Sequence, residues 1–323
     1  RWQAERAAGP RSMRIFDAEA TCAALPFERL VPALRAMFAA GCEVPQRHVH
    51  EIAGPDGSVL TSLIMPAWTA RHYGIKTVNV APGNTARGLA GLHAVYLLFD
   101  AVTGVPLAQL DGGVVTSRRT AAASALAASR LARDDARHLL VVGAGQVARL
   151  LPAAYRAVRP IERVTVWARR AEAARALVDE LRSQGFEAGA AARLDAAVAA
   201  ADVVSCATLA TEPVVHGRWL RGGQHLDLIG SFTPAMREAD DDCFAGAALY
   251  VDTDEALKKS GELLGPLSRS VFAATDVRGT LAALARGAVP GRRSRDERTV
   301  FKSVGTALED LAAATLVWET TAG

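Results

Sequence analysis

The stretch His138-Leu139-Leu140-Val141-Val142-Gly143-Ala144-Gly145-Gln146-Val147-Ala148 decides the fold of a large part of this chain. An apolar run passes directly into G-x-G-x-x-A, which is typical of a strand that turns tightly into a helix whose N-terminus faces a pyrophosphate. Gly143 permits the turn, Gly145 lets a phosphate approach the backbone, and Ala148 lets the helix pack closely on the sheet. The stretch therefore predicts a dinucleotide-binding domain in which residues 143–148 contact the cofactor.

Strands and helices alternate after this motif, which favours a nucleotide-binding domain over an isolated glycine-rich turn. Apolar runs predict strands at 163–167, 202–206, 225–230 and 248–252. Alanine-rich segments around 171–184 and 194–201 predict helices between them. Such alternation builds βαβ units around a parallel sheet, so the expected fold class is α/β with a Rossmann-type domain.

Composition limits the class of protein. The chain has 323 residues, is 50% hydrophobic and carries a net charge of +3, so it can form two domains and lacks the basic excess of a nucleic-acid-binding protein. Its four cysteines lie far apart, which predicts reduced thiols in a cytoplasmic protein. No apolar run is long enough to span a bilayer. His48 and His50 have metal-ligand spacing but no evident third ligand, so no metal is expected.

The residues before the motif follow a different pattern. Residues 27–40 predict an amphipathic helix, and five runs separated by turns predict a mostly antiparallel sheet. These runs are 44–51, 59–65, 74–80, 95–100 and 106–110. Further helices are expected at 117–131 and 299–320. We expect a discontinuous α+β domain for substrate binding and dimerisation at 13–117 with 302–323, a Rossmann-type domain at 118–301, and a disordered tail at 1–12.

The end of the second strand of the nucleotide domain indicates which cofactor binds. Domains that prefer NAD usually carry Asp or Glu there to bind the ribose hydroxyls. Here Trp167 is followed by Ala168, Arg169 and Arg170, and two guanidinium groups suit a 2′-phosphate. We therefore expect NADPH, with NADH possible. The alternative is that both arginines only solvate the start of a helix.

Several motifs resemble the ornithine cyclodeaminase/mu-crystallin family, in the family's order and over nearly the whole chain. The most specific is Thr116-Ser117-Arg118-Arg119-Thr120-Ala121-Ala122. Others are Gly74-Ile75-Lys76, the loop 82–91, Leu97-Leu98-Phe99-Asp100, Leu110-Asp111-Gly112, Gly143-Ala144-Gly145, Ala207-Thr208, Tyr250-Val251-Asp252 and Thr299-Val300-Phe301-Lys302-Ser303. The resemblance implies a homodimer whose first domains share a β-barrel. It also implies a cleft between the domains for small substrates with a carboxylate beside an amine or imine carbon.

The resemblance assigns roles to individual residues. Arg119 corresponds to the family's arginine for the substrate carboxylate or the neighbouring cofactor, and a guanidinium can grip a carboxylate with two parallel hydrogen bonds. Lys76 stands at the family's active-site lysine, which binds carboxylate or gives a proton to the imine nitrogen. Arg47 matches a second carboxylate-binding arginine. At the cofactor we also expect Thr208, Leu209 and Ser231. For Arg119 the alternative is a surface salt bridge, and for Lys76 it is a solvent-facing strand position.

Phe232 separates the activities that the resemblance implies. Cyclodeaminases and alanine dehydrogenases of the family carry an aspartate at this place, where the carboxylate acts as a base, and phenylalanine cannot accept a proton. Imine reductases of the mu-crystallin type also lack that aspartate and typically carry a serine before it, as Ser231 does here. Asp227 stays open as a substitute base, although a bond to a loop group is the favoured interpretation.

The sequence therefore predicts an enzyme that reduces a cyclic ketimine carboxylate with NAD(P)H. The substrate would be Δ1-pyrroline-2-carboxylate or Δ1-piperideine-2-carboxylate, and the product proline or pipecolate. One alternative is ornithine cyclodeaminase, which forms proline and ammonia from ornithine with bound NAD. The other is a non-catalytic, mu-crystallin-like binding protein.

Overall fold

The computed structural model describes residues 12–321, so the tail expected at 1–12 lies almost entirely outside the described residues. The strands are β1 Arg14–Phe16, β2 His48–Ala53, β3 Val59–Trp68, β4 His72–Val80, β5 Leu92–Asp100, β6 Pro106–Asp111, β7 His138–Val142, β8 Arg163–Trp167, β9 Glu187–Ala190, β10 Val203–Cys206, β11 His225–Leu228, β12 Ala248–Val251, β13 Val277–Thr280 and β14 Thr299–Lys302. The helices are α1 Ala18–Ala23, α2 Phe27–Ala40, α3 Gly112–Leu131, α4 Gln146–Arg156, α5 Ala171–Ser183, α6 Leu194–Ala200, α7 Ala256–Lys259, α8 Gly261–Ser268, α9 Leu281–Arg286 and α10 Ala307–Thr321.

The described chain forms two units. The first contains residues 12–26, 42–116 and 310–321, and the second contains residues 27–41 and 117–309. The division falls inside α3 and inside α10. This grouping places the helix at Phe27–Ala40 in the second unit, whereas the sequence grouped it with the antiparallel sheet.

The first unit is built on a six-stranded sheet in the order β1-β6-β5-β4-β3-β2. The strands β2 to β6 pair antiparallel, and β1 pairs parallel with β6. The mostly antiparallel sheet predicted from the sequence is confirmed. The first run begins later than expected, at His48, because Pro45 has no backbone N–H for the ladder. The three-residue β1 was missed because so short a run carries no detectable periodicity.

The second unit is built on an eight-stranded, all-parallel sheet in the order β13-β12-β14-β11-β10-β7-β8-β9. The motif strand β7 lies between β8, the next strand along the chain, and β10. The strand order therefore reverses at β7, and ligands of such sheets bind outside the carboxyl ends of the strands at this point. Every residue of β7 is buried, as expected for a strand covered on both faces. The Rossmann-type fold is confirmed.

The helix expected at 299–320 is wrong in its first part. Thr299–Lys302 forms β14, which pairs parallel with β11 on one side and β12 on the other. Its run of β-branched and aromatic residues is fully buried, which suits a central strand, and Gly305 then turns the chain with a φ of +78°. Only Ala307–Thr321 is helical, so apolar spacing continued across a strand and a turn misled the prediction.

The helix that follows β6 starts five residues before the predicted 117. Asp111 Oδ1 accepts a hydrogen bond from Val114 N at 2.8 Å, which caps the first turn. A Cβ on Gly112 would meet the backbone of Ala94 and Val95 at 2.7 Å, so only glycine allows the helix to start against β5. Within residues 12–321, no helix combines the length and the apolar content required to cross a membrane.

Candidate active site

The glycine turn has the geometry that a phosphate site requires. Gly143 adopts a φ of +123°, and a Cβ there would lie 2.5 Å from the carbonyl oxygen of Ala207. Gly145 is the N-cap of α4 and makes no side-chain cap, and a Cβ built on it would meet nothing within 4 Å. The first N–H groups of α4 are therefore open to an anion, which the helix dipole also favours.

A cavity of about 400 Å³ lies at this turn, in the second unit. Eight residues predicted from the sequence line it: Gly143, Ala144, Gly145, Ala168, Arg169, Arg170, Thr208 and Leu209. Sequence reasoning missed five others: Trp167, Ala173, Ala207, Ala210 and Val214. The described lining carries two guanidinium groups and no carboxylate. This chemistry fits a dinucleotide, with its pyrophosphate at the glycine turn.

The remaining predicted cofactor residues lie outside this lining. Gln146, Val147 and Ala148 belong to the first turn of α4, and Ala148 is fully buried. Ser231 is also fully buried. Its hydroxyl donates to Met236 O at 2.6 Å, and its Oγ lies 2.8 Å from Ser260 Oγ. The side chain of Ser231 is thus engaged inside the unit, and its carbonyl oxygen accepts a hydrogen bond from Ser260 Oγ at 2.9 Å.

Lys76 lies in the centre of β4 in the first unit, opposite Met65 on β3 and Tyr96 on β5. Its side chain is only 2% exposed, which excludes the solvent-facing alternative. Its Nζ lies 2.7 Å from Asp310 Oδ2 and donates to Thr116 Oγ1 at 3.2 Å. Buried ammonium groups require such partners. The sequence placed Lys76 in a predicted strand but did not identify Asp310 as its partner.

Arg119 lies in α3 in the second unit and is nearly buried. Its Nη1 is 2.5 Å from Glu309 Oε2. A Cβ on Gly305 would lie 2.5 Å from the same Nη1, and the φ of +78° at Gly305 also favours glycine. Arg118, the neighbouring arginine, instead places its guanidinium over the ring of Phe27 at 4.4 Å.

The other polar candidates lie in the first unit. Arg47 is partly buried, directly before β2. His93, on β5, lines a separate cavity of about 300 Å³ with Asn79 and Arg87. His48 and His50 are exposed, with ring centroids 6.4 Å apart. Residues 12–321 hold no group of three His, Cys, Asp or Glu side chains arranged for a metal ion.

The sequence suggested that Asp227 bonds to a loop group, and this interpretation is wrong: its partners lie on helices and on a strand. It is fully buried in β11 and accepts hydrogen bonds from Ser124 Oγ on α3 at 3.1 Å, Tyr155 OH on α4 at 2.9 Å and Ser205 Oγ on β10 at 2.5 Å. Burial raises the pKa of Asp227 to about 6, against the effect of these three donors. Two of these partners lie on helices and one on the neighbouring strand β10, and alternation along β11 alone could not reveal any of them. Phe232, by contrast, is 50% exposed in the loop after β11.

The fold and the cavity define an α/β protein that contains a Rossmann-type, dinucleotide-binding unit and a mostly antiparallel α+β unit. The model of the ornithine cyclodeaminase/mu-crystallin family matches residues 37–323, and this chain belongs to that family. The resemblance inferred from the sequence motifs is confirmed.

Among curated proteins, the chain is 43% identical over 324 residues to the Δ1-pyrroline-2-carboxylate reductase of Paracoccus denitrificans, covering 99% of this chain and 100% of that one. Among solved structures, the Δ1-pyrroline-2-carboxylate reductase of Thermococcus litoralis in complex with NADH and L-proline matches with a TM-score of 0.89 and 30% identity, over 96% and 98% of the two chains. An archaeal alanine dehydrogenase dimer with bound NAD matches with a TM-score of 0.87 and 30% identity, over 96% of both chains.

Proposed function

We propose that this protein reduces a cyclic ketimine carboxylate, Δ1-pyrroline-2-carboxylate or its six-membered homologue, to proline or pipecolate. The observation that carries the proposal is its 43% identity, over both full lengths, to a Δ1-pyrroline-2-carboxylate reductase. Phe232 supports the same reaction, because its side chain cannot serve as the base of amine chemistry. The solved relative with bound NADH and L-proline, the product of such a reduction, adds to this support.

The cofactor in this proposal is NADPH, with NADH possible. A reduced nicotinamide, when bound, supplies the hydride for the imine carbon. Residues 143–145 would hold the pyrophosphate, and Arg169 and Arg170 in the cavity wall would bind a 2′-phosphate. NADH stays open because the solved relatives hold NADH or NAD.

The substrate carboxylate is the group that Arg119 would bind. Its guanidinium is already oriented by Glu309, so little ordering is required when a carboxylate arrives. Arg47 would provide a second contact. Fixing the carboxylate orients the imine carbon for reduction, and orientation of this kind can supply a large part of the rate enhancement.

Lys76 is the candidate proton donor to the imine nitrogen, with a bound water as the alternative donor. A protonated imine accepts hydride more readily than a neutral one. Asp310 and Thr116 hold the Lys76 Nζ in one position, at 2.7 Å and 3.2 Å. In this role the Lys76 ammonium would give its proton to the imine nitrogen, and the nitrogen would keep that proton in the amine product.

We also propose that two chains pair through the sheet of the first unit. β2 is an edge strand, and all six of its residues are exposed in the single chain. Among them are Val49 at 56% and Ile52 at 53% exposure. An exposed, apolar edge strand is normally covered by a partner. A β-barrel shared by two copies would cover it.

The test is an assay of the purified protein with Δ1-pyrroline-2-carboxylate and either NADPH or NADH, followed at the nicotinamide absorbance band with amino-acid analysis of the product. Ornithine with NAD⁺ is run in parallel. Oxidation of the cofactor with equimolar proline supports the proposal. Ammonia and proline from ornithine without added reductant would replace it with cyclodeaminase activity, and a cofactor-binding protein without turnover would indicate a binding role.

A further inference from the structure

Glu238 joins two loops at the carboxyl ends of neighbouring strands. Its Oε1 accepts hydrogen bonds from the backbone N–H of Thr208 at 2.7 Å and from Thr208 Oγ1 at 2.8 Å. Its Oε2 accepts from the backbone N–H of Gly230 at 2.6 Å. Thr208 follows β10 and Gly230 follows β11. One fully buried carboxylate therefore ties together two segments that leave the sheet separately.

The backbone around the Glu238 carboxylate is closely packed. A Cβ on Gly230 would lie 1.9 Å from Thr208 O and 2.5 Å from Glu238 Oε1, so only glycine fits between them. The backbone that carries Glu238 is held in turn by Glu262. The two carboxylate oxygens of Glu262 accept hydrogen bonds from the backbone N–H of Glu238 at 2.7 Å and from that of Ala239 at 2.8 Å.

The buried Lys302 side chain also stabilises the charged form of the Glu238 carboxylate. Burial raises the pKa of Glu238, and the buried ammonium of Lys302 together with the N–H donors of Thr208 and Gly230 oppose that rise. Lys302 Nζ itself donates to Leu228 O at 2.8 Å, at the end of β11. A buried carboxylate with three donors and a nearby ammonium has its charge compensated, so its replacement leaves buried donors without an acceptor.

We propose that Glu238 is a positioning residue for the cofactor, acting through Thr208. Thr208 lines the cavity at the glycine turn, and so do the next two residues, Leu209 and Ala210. A loop held in place before binding does not have to be ordered by the ligand, so affinity is retained. The inference rests on the proposed function, because it takes the cavity to be the site of a nicotinamide dinucleotide.

The test is Glu238→Gln, which preserves shape but turns an amide N–H₂ toward one of the donors. We expect the Kd for NADPH and NADH to rise roughly tenfold, since a buried donor loses its acceptor. The readout is quenching of tryptophan fluorescence, to which Trp167 in the cavity wall contributes. The matched control is Asp202→Asn in the same unit. Asp202 accepts from Arg137 N at 2.9 Å and His138 N at 3.0 Å, at the amino end of β7.

Both variants are expected to lose stability in urea, but only Glu238→Gln is expected to lose cofactor affinity. A folded Glu238→Gln protein with a Kd within twofold of the wild type would overturn the positioning role and leave the proposed function intact. Failure of the wild type to bind either cofactor would overturn both. Hydrogen exchange of the unliganded wild type gives a second test. The amides of Thr208 and Gly230 are expected to exchange slowly, because both donate to the buried Glu238 carboxylate. Rapid exchange would show that Glu238 does not hold the two loops before the cofactor binds.

Discussion

Lys76 Nζ lies 2.7 Å from Asp310 Oδ2, and both side chains are almost completely buried. The preceding residue, Glu309, pairs with Arg119 at 2.5 Å. Two consecutive acids of α10 thus each hold one cation, Lys76 or Arg119, that the sequence predicted at the substrate site, and each pair lies within its own unit. Burying such pairs is costly unless the geometry is good, and removing one partner leaves an uncompensated buried charge. We therefore expect each acid to fix the position of its cation.

Asp310→Asn is expected to destabilise the protein by about 3–5 kcal/mol, because it leaves the Lys76 ammonium buried without its counter-ion. The kcat/KM of the imine reduction should fall as well, because the Lys76 Nζ is no longer held in position by Asp310. Urea unfolding and kcat/KM measure the two effects. The control is Glu319→Gln on the same helix, whose exposed pair with Arg71 at 3.6 Å should contribute about 0–1 kcal/mol. Equal effects of the two variants would contradict the prediction.

Arg119→Lys is expected to raise KM for the imine carboxylate roughly tenfold, because an ammonium keeps the charge near Glu309 but cannot bind a carboxylate through two parallel N–H groups. Steady-state kinetics at saturating cofactor give the value. Arg118→Lys is the neighbouring control, and its KM should stay within twofold because Arg118 packs over Phe27. An unchanged KM in Arg119→Lys would remove Arg119 from the substrate site.

The double variant Arg169→Ala/Arg170→Ala is expected to raise KM for NADPH roughly tenfold or more. KM for NADH should change much less, because only NADPH carries the 2′-phosphate. Arg175→Ala removes an exposed charge from α5, outside the cavity lining, and serves as the control. Equal losses for both cofactors would show that the two arginines do not read the 2′-phosphate.

The buried carboxyl of Asp227 should make stability fall as pH rises. Its pKa is about 6 in the folded protein, above the ordinary value near 4, so the folded state binds more protons than the unfolded state between these values. The unfolding free energy then decreases with rising pH from about 4 to about 6, by roughly 3 kcal/mol for this group. Asp227→Asn should remove that part of the slope in urea unfolding curves.

Asp135→Asn is the control for this pH dependence. Its exposed carboxylate has a pKa lowered to about 2 by Arg133 and Arg295, so its contribution is lost only as pH falls below about 5. The stability difference between the wild type and Asp135→Asn should therefore stay constant from about pH 5 to pH 7, where Asp227→Asn should still show a change. A constant difference for Asp227→Asn as well would show that Asp227 titrates normally.

The sequence predicted the nucleotide unit well because its signals are local. The strand β7, its glycine turn and the arginines after β8 follow each other within about thirty residues, and each has a backbone or charge requirement that one residue type meets. The position of Lys76 in a strand was equally clear from its apolar neighbours.

Long-range partners could not be predicted. Asp310 is far from Lys76 in the sequence, and Glu238 is separated by thirty residues from the loop that it braces. Neither acid stands out by spacing, because burial and pairing arise only when distant strands come together. The same reason hid β14, whose partners β11 and β12 lie far upstream.

The proposed reaction transfers a hydride from a reduced nicotinamide to the imine carbon. The most direct measurement uses Δ1-pyrroline-2-carboxylate with NADPH or NADH deuterated at the transferring C4 position, followed by mass spectrometry of the amino acid formed. We expect one deuterium at the α-carbon of each proline, with one cofactor oxidised per proline. Proline that forms without deuterium, or no proline while the cofactor stays bound and unoxidised, would contradict it.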